Sequence, residues 1–175
     1  MGSTAYLTLP TQPPHLIGGQ VHVMALDPFH ERFYNGGVFR LWLYNWVART
    51  IAPDLARRAL ADDPDKLEEV LEELETISSD PSELQKRLEA LPLTPAPIFG
   101  DIPEFGFYHD WVVNNTDGPY WADRNVKAMA SRVNVPVVHV GGWYDIYAQG
   151  TINAFKTFQE QGGPGARGKQ RLIMG

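Results

Sequence analysis

An α/β fold, a thin parallel sheet interrupted by a long helical insertion, is what this sequence predicts, and three stretches carry the expectation. Residues 135–175 read strand, loop, helix, strand, a βαβ unit of the kind that belongs to a parallel sheet. Residues 38–91 carry helical spacing almost throughout. An earlier strand is readable only within residues 4–26, more than 100 residues before the next, so two to three strands are available. Three strands make a thin sheet for helices on both faces, and the sequence reads as cut from a larger α/β protein.

Each element has a local reason. His15–Leu26 (HLIGGQVHVMAL) is a short strand weakened by Gly18-Gly19, after a stretch broken by Pro10, Pro13 and Pro14. Asn35-Gly36-Gly37 marks a turn. In Val38–Ile51, the residues Phe39, Trp42, Leu43, Trp46 and Val47 share one broad helical face. Pro53 stops this helix or opens the next, which runs to about Ala61. Asp63-Pro64 starts a helix with a side-chain cap and a ring preset to helical φ. Its apolar stripe is Leu67, Val70, Leu71, Leu74 and Ile77. Asp80-Pro81-Ser82-Glu83 repeats the device as a capping box, with Glu83 placed to reach back and Leu84, Leu88 and Leu91 as the stripe. This acidic hairpin reads as a solvated scaffold without chemistry.

Residues 92–107 hold Pro92, Pro95, Pro97 and Pro103 and read as an irregular connection. Tyr120–Arg132 reads as a helix opened by Asp117-Gly118-Pro119. Val135–Val140 (VPVVHV) has the pattern of a strand buried on both faces. Thr151–Gln161 is the helix that follows, Gly162–Gly168 a turn, and Arg171–Met174 the last strand.

Composition narrows the class. With 43% hydrophobic residues and five Trp, eight Phe and seven Tyr, the chain fills a real core. A net charge of −6 argues against nucleic acid as partner, and no apolar run approaches the ~20 residues of a membrane span. There is no cysteine, so disulfides and thiolate metal sites are excluded and the redox compartment stays open, the cytoplasm being favoured. The N-terminus lacks the charged start and apolar core of a signal peptide.

The chemistry centres on Gly141-Gly142-Trp143-Tyr144-Asp145, where a parallel strand ends. Open α/β sheets place ligands and catalytic groups there. An Asp so placed orients a histidine and stabilises its imidazolium form, or else caps the following helix, and spacing alone leaves both roles open. His15, His22, His30, His109 and His139 show no HExxH or other ligand spacing and read as structural or exposed.

The segment VNVPVVHVGGWYDIYAQGTINAF, with RGKQRLIMG after it, resembles the CocE/NonD hydrolases, the group containing cocaine esterase and X-Pro dipeptidyl-peptidase. FYNGGVFRLWLYNW and YHDWVVNNTDGPYW are similar to that family's cap region. The resemblance runs from Pro13 onward, and GGWYD is its specific block. It implies an α/β-hydrolase sheet carrying Ser, Asp and His in chain order, with a helical cap inserted before the strand of the Asp. On this mapping residues 4–26 are a piece of the core, 27–134 the cap, and 135–175 a βαβ piece of core with Asp145 as the triad acid. The nucleophile motif falls just before Thr4, and the histidine motif begins at Gly175, so the chain lacks both. Ser3 has no strand before it and no second glycine, which disqualifies it as the nucleophile.

The resemblance also implies a substrate. The α-amino-acid ester hydrolases of that family bind an ammonium through acidic residues at the two positions occupied here by Tyr147 and Ala148. Tyr147 instead suits an acyl pocket, which Trp143, Trp42 and Trp46 are candidates to line, although aromatics at helical spacing are more often core. The implied parent is a serine esterase or amidase, or an X-Pro-type peptidase, working through an acyl-enzyme on a small ester, amide or peptide. No metal or organic cofactor is implied, and no nucleic acid or membrane partner; assembly into a homo-oligomer is left open. The rivals are a non-catalytic helical lid in which GGWYD is only a turn, and a nucleotide-binding domain using Gly141-Gly142, for which no GxGxxG or P-loop is present.

Overall fold

The computed structural model describes residues 2–94, 96–100 and 102–175; Pro95 of the expected irregular connection lies outside them. The chain begins with helix α1 (Gly2–Thr8), strand β1 (Gly19–His22) and a single wide helical turn, Pro28–Phe33. Two short strands, β2 (Tyr34–Asn35) and β3 (Val38–Phe39), flank the Gly36-Gly37 turn. Then come α2 (Trp42–Trp46), a second wide turn (Val47–Ile51), α3 (Ala52–Ala59), α4 (Pro64–Ser79), α5 (Pro81–Glu89), α6 (Pro97–Gly100), α7 (Gly106–Val113) and α8 (Pro119–Ala122). Strand β4 (Val137–Gly141), helix α9 (Ala148–Gln161) and strand β5 (Arg171–Met174) complete it. These elements form two units, residues 1–37 with 116–175, and residues 38–115. Residues 27–37 and 116–134, expected with the insertion, therefore group with the sheet.

In the first unit β1, β4 and β5 form one parallel sheet with β4 in the centre. Gly19 pairs with Val137 and Val138 with Arg171, and α9 is the crossover between β4 and β5. The α/β class expected from the βαβ pattern is the one observed. Val21 and His139 lie in register on one face and are buried, with Tyr6 of α1 and Phe158 of α9 packed edge to face at 5.8 Å beside them. The opposite row is different. Gln20, His22, Arg171 and Ile173 are exposed and Val138 and Val140 half-buried, so β4 is covered fully on one face only, not on both as its apolar run predicts.

Helix α1 was not legible in the sequence. It crosses so close to β1 that a Cβ on Gly2 would run into the His22 carbonyl. Likewise a Cβ on Gly150 would stand 2.5 Å from Ala25 Cβ, so only glycine lets α9 lie against the chain leaving β1. The helix expected over Tyr120–Arg132 shrinks to α8 and one tight turn, Ala130–Arg132. Asn125 Oδ1 accepts the Ala128 N–H at 3.2 Å, and the Val126 N–H goes to the Leu26 carbonyl at 3.1 Å. Both take backbone donors that a helix needs.

In the second unit the first helix begins at Trp42, not Val38, because Gly36 and Gly37 at positive φ feed Val38–Phe39 into extended backbone. Of the two expected roles Pro53 takes the second, entering at the start of α3. Its ring crowds the carbonyl four residues back, and the helix answers by widening, with the Ala52 N–H reaching to Val47. The buried face is Leu43, Tyr44, Val47 and Ala48, while Trp42 and Trp46 are 36% and 39% exposed. The expectation that put both tryptophans on the packed face with Leu43 and Val47 is thus corrected. Val70, Leu74 and Ile77 of α4 are buried as its stripe predicts, and they join Ile98, Phe99, Ile102, Phe105 and Tyr108 in one core. Residues 92–107 are accordingly not all irregular, since α6 and the turn before α7 bury apolar side chains. Leu91 is exposed because α5 has ended at Glu89.

Both caps are formed. Asp63 Oδ1 accepts the Lys66 N–H at 3.1 Å, and Asp80 Oδ1 accepts the N–H groups of Ser82 (2.8 Å) and Glu83 (3.4 Å). The Ser82 hydroxyl donates to the same oxygen and holds the Asp80 carboxyl below its ordinary value. The return half of the capping box is not made. The Asp80 N–H is already used by the Thr76 carbonyl at the end of α4, and Glu83 turns instead to Arg87 (2.7 Å) and Lys86 (3.3 Å). Asp63→Ala is expected to cost about 1 kcal/mol in urea unfolding. A loss near zero would show that α4 is held by packing alone.

Candidate active site

Asp145 sits four residues beyond Met174's partner Gly141, past the carboxyl end of the central strand. Gly141 is required there: a Cβ would meet Met174 Sδ at 2.9 Å and Thr151 Cγ2 at 3.1 Å. The pairing of β4 with β5 continues into the loop, as the Gly175 N–H donates to the Gly141 carbonyl (3.1 Å) and the Trp143 N–H to the Gly175 carbonyl (2.9 Å). The loop then closes on itself. The Asp145 N–H donates to the Gly142 carbonyl at 3.2 Å, and the Asp145 carbonyl accepts the Ala148 N–H at 3.0 Å, where α9 begins.

The Asp145 carboxylate is half-buried, with Oδ1 accepting the Tyr147 N–H at 2.7 Å. Oδ2 accepts no hydrogen bond among the described residues. One oxygen is thus fixed and the other is presented at the sheet's carboxyl edge, the arrangement by which a carboxylate orients a base. The bond to Tyr147 is also the one a turn-forming aspartate makes, so geometry within the loop serves both roles.

A family model for the X-Pro dipeptidyl-peptidase (S15 family) matches residues 1–175. The chain belongs to that family. No curated protein matches it. Membership carries the coarse function, since the family is one of hydrolases acting on peptides, and it accords with the CocE/NonD resemblance read from GGWYD. Among the described residues no helix is long and apolar enough to cross a membrane.

Within this X-Pro dipeptidyl-peptidase family chain the other expected site residues divide between the two units. Tyr147 is half-buried beside Asp145, and Trp143 is 62% exposed on the same loop. Trp42 and Trp46 belong to the helical unit, their rings meeting edge to face at 6.2 Å. Ser3 lies in the first turn of α1, its Oγ accepting from Arg32 Nη1 at 2.6 Å.

No histidine bonds to Asp145 among the described residues. His30 pairs with Asp117 at 3.1 Å, His22 with Gln20 at 2.7 Å and His109 with Thr94 at 2.6 Å. His15 is exposed in a left-handed conformation. His139 is wholly buried, as expected of a side chain on this strand, but its partners are side chains. Gln170 Oε1 accepts the Val137 N–H (3.1 Å) and so must accept the His139 Nε2–H (3.3 Å) as well. That leaves His139 Nδ1 as the acceptor for the Tyr6 hydroxyl at 2.7 Å, and the ring is neutral with its proton on Nε2. Burial pushes its pKa down to about 4. Such a histidine ties α1 to the sheet and shuttles no protons at neutral pH.

Proposed function

We propose that this chain supplies the acid of a Ser-Asp-His triad, together with a substrate-binding cap, to a serine hydrolase whose nucleophile and histidine lie in further sequence. The observation that carries the reading is the Asp145 carboxylate at the end of β4, with Oδ1 held by the Tyr147 N–H and Oδ2 presented for a donor. In the reaction the serine oxygen attacks an ester or amide carbonyl and its proton passes to the histidine. Asp145 holds that imidazole in the productive tautomer and balances its positive charge. The histidine then protonates the leaving group, and water releases the acyl-enzyme. Tyr147 and Trp143, on the Asp145 loop, contact the acyl group. Peptides ending in X-Pro and small aryl esters are the two substrate classes to compare.

The test uses the full-length protein. A fluorophosphonate probe should label one serine, and the labelled protein should lose turnover of an X-Pro nitroanilide and of a phenyl ester together. Labelling without loss of either activity, or no labelling at all, would remove the serine mechanism and leave the helical-lid reading in its place.

A further inference from the structure

The helical unit holds a small cavity of its own. It measures about 280 Å³, just under the ~300–1,000 Å³ of most ligand pockets, and lies where α6 and the turn after it meet α7. Among the described residues its floor is Phe99, Ile102 and Tyr108, all buried. Its rim is Thr94, His109 and Asp110, which reach solvent. An apolar base under a short polar edge is the make-up of a small-molecule site.

The sequence explains the opening. Gly106, His109 and Asp110 are spaced three and four apart on α7, so they share one face. Gly106 has ordinary helical backbone (φ −54), and a Cβ there would meet nothing within 4 Å. Neither conformation nor crowding demands a glycine, which a helix disfavours relative to alanine. What the missing side chain leaves is room.

The rim is also negative. Between Arg87 and Arg124 the sequence has no lysine or arginine. The Thr94 hydroxyl and His109 Nδ1 are 2.6 Å apart and occupy one another. The Asp110 carboxylate, by contrast, forms no ion pair among the described residues, so a cation arriving there displaces no protein partner. A carboxylate beside aromatic surface, here Phe99 and Tyr108 with ring centres 4.9 Å apart, suits a cation that carries an apolar body.

We propose that this cavity binds a small organic cation of the aryl- or alkylammonium class. The ring or chain packs on Phe99, Ile102 and Tyr108, and the ammonium pairs with Asp110. The site is built wholly from the helical unit and does not depend on the hydrolase reading.

The test is calorimetry on the full-length protein at neutral pH. Phenethylammonium should bind with a Kd of about 1 mM or tighter. The alcohol 2-phenylethanol has the ring without the charge, and ethylammonium has the charge without the ring. Each should bind at least roughly tenfold more weakly. Asp110→Asn should weaken phenethylammonium by roughly tenfold and leave the alcohol unchanged. Gly106→Leu fills the room and should remove binding of both. The two variants should melt like wild type, since Asp110 is exposed and Gly106 borders open space. No saturable binding of phenethylammonium by wild type, or equal binding of the alcohol, overturns the proposal. So does an affinity that neither variant moves, because the amine is then held elsewhere in the protein. Should Gly106→Leu not fold, the ratio of the two ligands in Asp110→Asn decides alone.

Discussion

Asp145→Asn in the full-length protein is expected to lower kcat by on the order of 10⁴ with no change in Tm. The substitution keeps the size of the side chain, and its amide oxygen still accepts the Tyr147 N–H, now made at 2.7 Å. What changes is the other end. An NH₂ group takes the place of Oδ2, and a donor facing a donor turns the catalytic imidazole into the wrong tautomer. Because the loop's other bonds are backbone bonds, from Asp145 N–H to Gly142 and from Ala148 N–H to Asp145, they survive intact. KM should move little, as the carboxylate touches the base and not the substrate. A variant that melts normally and keeps more than about a tenth of wild-type turnover would reduce Asp145 to a turn residue.

Acidification should cost the fold about 3 kcal/mol through His139 alone. The folded pKa of about 4 lies below the ordinary value of 6.5, and each pKa unit is worth about 1.4 kcal/mol. The sign follows from proton counts. Between these two values the unfolded chain binds a proton on this residue and the folded chain does not, so stability rises with pH across that window. The contribution is complete above pH 6.5 and gone below about pH 4. Protonation would put a second N–H against the Tyr6 hydroxyl, now donating at 2.7 Å, inside a fully buried pocket. Urea unfolding at pH 7, 5.5 and 4 measures the slope, and His139→Leu should flatten it relative to wild type. Parallel slopes in the two proteins would mean that His139 is already charged or already loose at neutral pH.

The parts of the molecule legible in sequence are those written in local chemistry. The run Val135–Val140, the glycines after it and the later RLIM segment announce β4, its loop and β5, because a buried parallel strand is a short apolar run wherever it occurs. Asp63 and Asp80 announce their helices for a similarly local reason. Contacts between distant residues leave no such mark. Tyr6, His139 and Gln170 meet across more than 100 residues, and no spacing in the sequence ties the three together. Asn125 reads as an ordinary helical residue until its side chain takes the Ala128 N–H. Asp145 was picked out by strand position and family likeness together; its spacing alone did not separate a triad acid from a turn.

The sheet imposes a timetable on synthesis. Among the described strands β1 pairs with β4, Gly19 meeting Val137, while the helical unit between them is built from near neighbours in sequence. At a ribosomal rate of about 5–20 residues per second, the β1 segment waits on the order of ten seconds for its partner. Local helices form in microseconds, so the insertion is complete long before the sheet can begin. During that interval the edge of the Gly19–His22 segment that faces β4 has no partner from that strand, which makes this segment, and not the helical unit, the natural client for a chaperone on the nascent chain.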